Sequence, residues 1–132
     1  MGVLTIYLDR ITNLADADYI GKSDPYVLFE LEQDNWVMDK KFGSQRSSTK
    51  NNNLNPVYGE TYHFTIPTLE NMVLTAKIRD EDVGSRDDKL GWCKIKLNDM
   101  GLNQTPKAVE KVVDRNLIRA NGTLYMKLSY KA

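Results

Sequence analysis

The chain has 132 residues, with 18 Lys plus Arg and 18 Asp plus Glu, so its formal net charge at pH 7 is zero. That length fits one domain over residues 1–132 with a real hydrophobic core, and a neutral chain has no overall field that would steer it toward nucleic acid. The single cysteine, Cys93, excludes an intramolecular disulfide and a cysteine metal cluster, and it suits a reducing compartment.

Apolar and polar residues alternate with a period of two along most of the chain, which predicts half-buried β-strands. The residues expected to face the core are Leu4, Ile6 and Leu8, then Val27, Phe29 and Leu31, then Tyr62, Phe64 and Ile66, then Met72, Leu74, Ala76 and Ile78, and finally Leu124, Met126, Leu128 and Tyr130. Clusters of turn-forming residues separate these runs. We therefore predict an all-β fold, an eight-stranded antiparallel β-sandwich.

The segment 106–114 departs from this pattern. Thr105 can cap a helix, Pro106 suits its first position, and the valines at 109, 112 and 113 could form one face. The sequence therefore allows one short helix there, although the same residues could equally form a strand in a crossover.

Two loops are rich in carboxylates. The stretch "DADYIGKSDPY" covers residues 16–26, and "IRDEDVGSRDDKLG" covers residues 78–91. Both follow strands that end on the same side of the predicted sandwich, so the loops can meet. Five converging carboxylates without a cation would repel one another, whereas Ca²⁺ takes about six to eight oxygen ligands. Either loop alone could equally be solvated surface.

Other kinds of site find less support. Neither loop is an EF-hand, because position 12 holds Val27 when counted from Asp16 and Gly91 when counted from Asp80. His63, the one histidine, alternates onto an outer strand face, which leaves no triad or zinc site around it. A hydrolase with paired carboxylates would need a second catalytic group that nothing marks. We expect no enzyme activity and no nucleic-acid partner.

Three stretches, "GKSDPYVLFEL", "NNNLNPVYGETYHF" and "IRDEDVGSRDDKLGWCKIKL", resemble a C2 domain, the membrane-targeting sandwich of protein kinase C and synaptotagmin. The resemblance covers nearly the whole chain in order and spacing. It implies calcium binding by five aspartates, which fall on Asp18, Asp24, Asp80, Asp82 and Asp88.

The same resemblance implies further oxygen ligands. Ser85 matches an additional donor of some members, and the main-chain carbonyls of Tyr19, Glu81 and Arg86 match positions that also bind calcium. About two or three Ca²⁺ ions are expected. Asp87, like Asp16, has no counterpart among the usual ligands and is interpreted as charge at the rim.

The ends of the chain bear on strand order. The sequence begins with "VLTIYLDRITNL" and ends with "GTLYMKLSYKA", and this ending resembles the strand that comes first in the synaptotagmin-like topology. The resemblance therefore implies the circularly permuted variant, called type II.

The function implied is a Ca²⁺-dependent phospholipid-binding module. Calcium neutralises the acidic end and bridges it to anionic headgroups, with phosphatidylserine expected, and the protein would be cytoplasmic until a calcium rise recruits it to the membrane. Tyr19, Ile20 and Val83 would face lipid, and Arg86 could meet a headgroup phosphate. Ile20 could instead pack against its own loop.

A basic face for phosphoinositides is only half present. Arg46 and Lys50 alternate along one strand, but the neighbouring strand offers Leu28, Glu30 and Glu32 where the family pattern would need lysines. The alternative function is a C2 module for protein–protein interaction in which calcium is secondary. The intact aspartates count against that alternative.

Overall fold

The computed structural model describes residues 1–14, 23–81, 87–114 and 122–132. Strands dominate the described chain, together with one 3-10 turn at Leu97–Asp99. The strands are β1 Gly2–Thr12, β2 Pro25–Gln33, β3 Lys40–Arg46, β4 Val57–Ile66, β5 Met72–Asp80, β6 Asp88–Lys96, β7 Lys107–Val112 and β8 Thr123–Lys131. The predicted eight-stranded all-β sandwich is confirmed. No helix among the described residues is long and apolar enough to span a membrane.

The strands form two antiparallel sheets of four. Sheet A has the order β4-β1-β8-β7 and sheet B the order β3-β2-β5-β6. In sheet A, Val3 lies opposite Lys131, so the first and last strands pair and the two ends of the chain are neighbours. Circular permutation of a fold requires neighbouring ends, and the strand order therefore agrees with the permuted topology that the sequence implied.

The inner faces of the two sheets enclose one apolar core. Along β1, Leu4, Ile6 and Leu8 are fully buried, as the period of two predicts. A β-bulge between Leu8 and Arg10 shifts the pairing with both neighbouring strands, after which Ile11 continues the buried row. Full burial of one large apolar side chain contributes about 1.5–3 kcal/mol. These rows fix which residues each strand presents outward.

Of the two structures that the sequence allowed for 106–114, a short helix and a strand, the strand is observed. Residues Lys107–Val112 form β7, which pairs with β8 along its length. Val109 and Val113 are buried, while Val112 is largely exposed. Residues four apart share a face in both a helix and a strand, so the two valines fit either structure. The β-branched side chains and the open edge of β8 favour the strand.

The antiparallel order gives the sandwich two distinct ends. β2 and β6 begin where β5 finishes, and this "aspartate end" carries Asp24, Asp80 and Asp88. The connection between β2 and β3, residues 34–39, lies at the opposite end.

Candidate metal centre

Three of the predicted ligands meet at the aspartate end, where three neighbouring strands of sheet B begin or finish. Pro25, which follows Asp24, lies opposite Asp80 in the pairing of β2 with β5. Asp80 in turn lies opposite Asp88 in the pairing of β5 with β6. Antiparallel partners have Cα atoms about 4.5–5.5 Å apart, so these aspartates are close neighbours. The strand register, rather than any local motif, brings residues 24, 80 and 88 together.

The other predicted ligands and lipid contacts lie outside the described residues. They are Asp18, Tyr19, Ile20, Asp82, Val83, Ser85 and Arg86. Their roles therefore stay predictions. Glu81, whose carbonyl is a predicted ligand, lies directly beside Asp80 and is half-buried.

Hydrogen bonds fix the carboxylates of the aspartate end. Asp80 is fully buried, and its Oδ1 accepts the backbone N–H of Asp24 at 2.7 Å. The Oδ1 of Asp24 accepts the backbone N–H of Asn52, also at 2.7 Å. The carbonyl oxygen of Asp24 accepts the N–H of Glu81 at 3.0 Å. The residues before β2 and after β5 are thus joined by two bonds, of which the one to the Asp80 carboxylate is charge-assisted.

The entrance to β2 is held by the loop between β3 and β4. The carbonyl of Ser23 accepts the N–H of Asn53 at 3.0 Å, and that of Pro25 accepts the N–H of Lys50 at 3.0 Å. The Tyr58 hydroxyl also donates to the Pro25 carbonyl, at 2.7 Å. Burial raises the pKa of Tyr58, so this donor stays protonated. The backbone beside Asp24 is therefore fixed before any ion binds.

Arg46 is a cation built into the aspartate end. Its guanidinium lies 3.8 Å from the centroid of the Tyr26 ring, and its Nη2 donates to Glu81 Oε1 at 3.1 Å. The Tyr26 hydroxyl donates to Asp87 Oδ2 at 2.6 Å. Burial raises the pKa of Tyr26, and the Asp87 carboxylate adds to this. Asp87, predicted as rim charge, is thus a partner of Tyr26.

The basic face predicted around Arg46 and Lys50 has an acidic neighbour. Glu60 accepts hydrogen bonds from the backbone and hydroxyl of Ser48, which lies between the two cations, and from the Tyr62 hydroxyl. Burial opposes ionisation of Glu60, but the bonds from Ser48 and Tyr62 outweigh it and lower the pKa of this carboxyl. The ammonium of Lys50 lies 5.8 Å from the Tyr58 ring centroid. Anion binding at this face stays a prediction.

A second carboxylate cluster, which the sequence patterns did not reveal, lies at the opposite end. Single oxygens of Glu32, Asp34 and Asp39 lie within 4.8 Å of one another. A hydrogen bond with Asp39 raises the pKa of Glu32, and burial and the Asp39 charge act in the same direction. Carboxylate oxygens could ligate a cation here. Water solvates exposed carboxylates well, however, so the cluster needs no ion to be stable.

Fold and site together define an antiparallel β-sandwich with three neighbouring carboxylates, those of Asp24, Asp80 and Asp88, at one end of sheet B. The chain belongs to the C2 family: the family model described as C2 domain matches residues 2–112.

Relatives and solved structures agree with this assignment. The chain is 30% identical over 126 residues to a calcium-dependent lipid-binding protein of Arabidopsis thaliana, covering 96% of this chain and 22% of that protein. It is 34% identical over 96 residues to synaptotagmin-9 of Rattus norvegicus, covering 71% and 19%. The chain thus spans about a fifth of these relatives.

Among solved structures, C2 domain A of plant extended synaptotagmin 1 superimposes with a TM-score of 0.86 at 25% identity, covering 98% of this chain and 94% of that one. A calcium-bound structure of C2 domains A and B of extended synaptotagmin 2 gives a TM-score of 0.74 at 25% identity, covering 98% and 45%.

Proposed function

We propose that this chain is a non-catalytic, Ca²⁺-dependent module that binds anionic phospholipid through its aspartate end. The observation that carries the proposal is that Asp24, Asp80 and Asp88 lie together at the ends of three adjacent strands. Their donor atoms are carboxylate oxygens, which suit Ca²⁺ rather than the nitrogen- and sulfur-seeking Zn²⁺. His63 forms a hydrogen bond with Thr5 on the outer face of sheet A, and Cys93 is a buried residue of β6. Neither side chain therefore belongs to this donor set.

Residues of the two loops would complete the coordination. Asp18 and Asp82 would supply further carboxylates, and the Ser85 hydroxyl and the carbonyls of Tyr19, Glu81 and Arg86 the remaining oxygens. About two or three Ca²⁺ ions would be held in this way. Bound calcium supplies positive charge and coordination positions open to lipid oxygens.

The negative charge of the aspartate end determines how calcium changes membrane binding. Asp24, Asp80, Asp87 and Asp88 concentrate negative charge at this end, whereas the neighbouring Glu81 is paired with Arg46. An anionic bilayer would be repelled by this end until cations neutralise it. Linkage requires that lipid raise calcium affinity by the factor by which calcium raises lipid affinity.

Loop-tip residues would set the depth of docking. Tyr19, Ile20 and Val83 would enter the lipid surface, and Arg86 would meet a headgroup phosphate. We further propose a cytoplasmic protein that is recruited when calcium rises. The name of the Arabidopsis relative, a calcium-dependent lipid-binding protein, supports this interpretation.

The test is co-sedimentation with vesicles of phosphatidylcholine and phosphatidylserine, in calcium and in chelator. Asp24→Asn with Asp82→Asn removes two ligand charges, and the amide oxygen introduced at position 24 can still accept the Asn52 N–H. Asp34→Asn with Asp39→Asn is the matched control, because it makes the same charge change at the opposite end. We expect calcium-dependent binding by the wild type and the control and its loss in the aspartate-end variant.

Other outcomes would redirect the assignment. Equal binding in calcium and in chelator would indicate that the face around Arg46 and Lys50 recognises the lipid. Absence of binding by a folded protein would favour the protein-interaction alternative.

A further inference from the structure

A groove of about 340 Å³ runs along the outer face of the β5–β6 pair, and we call it the Trp92 groove. Its lining includes Thr75, Lys77, Arg79, Lys89, Trp92 and Lys94. The strand register sets these residues in three cross-strand pairs, Arg79 with Lys89, Lys77 with Trp92 and Thr75 with Lys94. Every charged side chain in the lining is basic, so the groove is a cationic surface with one aromatic wall.

The cations of the groove repel one another more than they are compensated. Like charges directly opposite each other in neighbouring strands are destabilising, and Arg79 with Lys89 is such a pair. Of the ion pairs between described residues, one involves a lining cation, and it joins Lys77 to Glu30. An anion between the two strands would relieve this repulsion, which a bare groove leaves in place.

Carboxylates stand at both ends of the groove, outside its lining. At the aspartate end, Asp88 precedes Lys89 in the chain. At the opposite end, the cluster of Glu32, Asp34 and Asp39 shares a larger cleft with Lys94. These acids reduce the positive field at the two ends, so the field favours an anion near the middle of the groove, beside Trp92.

The Trp92 ring is available for stacking. β6 buries Cys93 and Ile95 in the core, so Trp92 lies on the outer face and is half-buried. Five other aromatic rings of the described chain each have a cation over them, whereas none of these contacts involves Trp92. The described part of the protein thus provides no stacked cation for this ring, although cations line the same groove. A planar ligand group could occupy that position.

We propose that the Trp92 groove binds a nucleoside polyphosphate such as ATP. The base stacks on Trp92, and the phosphates contact Arg79, Lys89 and Lys94. Stacking of a base on an aromatic side chain tolerates any base, and Lys and Arg suit phosphate oxygens. An inositol polyphosphate would satisfy the cations but offers no planar face to the ring. The site requires neither calcium nor lipid and does not rest on the proposed function.

Tryptophan fluorescence tests this directly. Trp36→Phe leaves Trp92 as the one tryptophan, and Trp36 is fully exposed, so the core is untouched. Titration with ATP in chelator should quench Trp92 saturably, and the affinity should fall as salt rises. Inorganic tripolyphosphate carries at least as much charge but no base, and it should bind about tenfold more weakly in calorimetry.

Charge variants locate the phosphates. Lys89→Gln with Lys94→Gln removes two exposed lining cations and should raise the dissociation constant for ATP at least about tenfold. Lys127→Gln with Lys131→Gln is the matched control, because it makes the same charge change at exposed positions of sheet A. The control should bind ATP within about twofold of the wild type. Circular dichroism of each variant verifies folding.

The proposal fails on any of three results. Absence of saturable quenching at millimolar ATP would leave the groove without this ligand. Tripolyphosphate that binds as tightly as ATP would show that the cations act alone and that Trp92 holds no base. Equal weakening in the groove variant and the sheet A control would show that ATP follows the overall charge of the protein rather than this groove.

Discussion

The buried carboxylate of Asp80 accepts the backbone N–H of Asp24 at 2.7 Å, and this bond joins the bases of the two acidic loops together with the bond from the Glu81 N–H to the Asp24 carbonyl. Asp80 is thus a structural residue as well as a proposed calcium ligand. Substitutions that either keep or remove an acceptor oxygen at position 80 separate these two roles.

Asp80→Ala should destabilise the protein in chelator, because the partly buried Asp24 N–H then loses its acceptor. An unsatisfied buried donor costs about 1–3 kcal/mol. Asp80→Asn keeps an acceptor oxygen and should therefore lose less stability than Asp80→Ala. Urea unfolding with chelator present measures both variants, and Asp88→Asn, at an exposed neighbour on β6, is the control. Equal losses for Ala and Asn at position 80 would contradict this role of the bond.

Calcium should raise the free energy of unfolding of the wild type. A ligand that binds only the folded state at 100 times its dissociation constant adds about 2.7 kcal/mol. Thermal unfolding in calcium and in chelator measures the difference. The Asp24→Asn, Asp82→Asn variant should show a much smaller shift, while Asp34→Asn with Asp39→Asn keeps the full one. If the first variant kept the stabilisation by calcium and the second lost it, the ion would bind at the opposite end.

Removal of Arg46 should strengthen calcium binding in the absence of lipid. Its guanidinium pairs with Glu81 beside the proposed ion positions, so Arg46→Ala deletes a repelling cation and releases a carboxylate. Both partners are substantially exposed, and a gain of roughly twofold in affinity is expected for such screened charges. Calorimetric titration with Ca²⁺ measures it, and Lys50→Ala is the matched control. A weaker affinity would show that Arg46 instead holds the loop in shape.

Cys93 should be inert to thiol reagents in the native state. Burial, helped by the charge of Asp114, raises the pKa of the thiol from 9.0 to about 12. The folded state therefore keeps a proton that the unfolded state releases, so this contribution to stability is complete below about pH 9 and is lost as the pH rises toward about 12.

The free energy of unfolding of the wild type and of Cys93→Ala, measured between pH 8 and 11, tests this pH dependence. The wild type should lose more stability than the variant over that interval, whatever their difference at pH 8. Tyr58 and Tyr62, whose pKa values burial also raises, contribute equally to both proteins. Rapid labelling of folded protein at pH 8 would contradict the burial of the thiol.

Strands β1, β2, β4, β5 and β8 were predictable from the sequence because one face of each packs on the core, which makes apolar residues recur with a period of two. β3 has no buried residue and therefore lacks this pattern. Segment 106–114 was not predictable either, since Val109 and Val113 fit a helix and a strand alike. The partnership of Arg46 with Tyr26 depends on how β3 lies against β2, and no local pattern encodes that register. Glu32 likewise meets Asp39 only after the chain has turned back on itself.

The adjacency of Val3 and Lys131 has a practical consequence. Partners in neighbouring antiparallel strands are separated by about 5 Å between Cα atoms. The domain could therefore be inserted into a surface turn of a host protein without separating the two ends of that turn. Both junctions would leave from the side remote from Asp24 and Asp80. A fluorescent host joined in this way would report arrival at a vesicle surface while keeping its own bulk clear of the carboxylates.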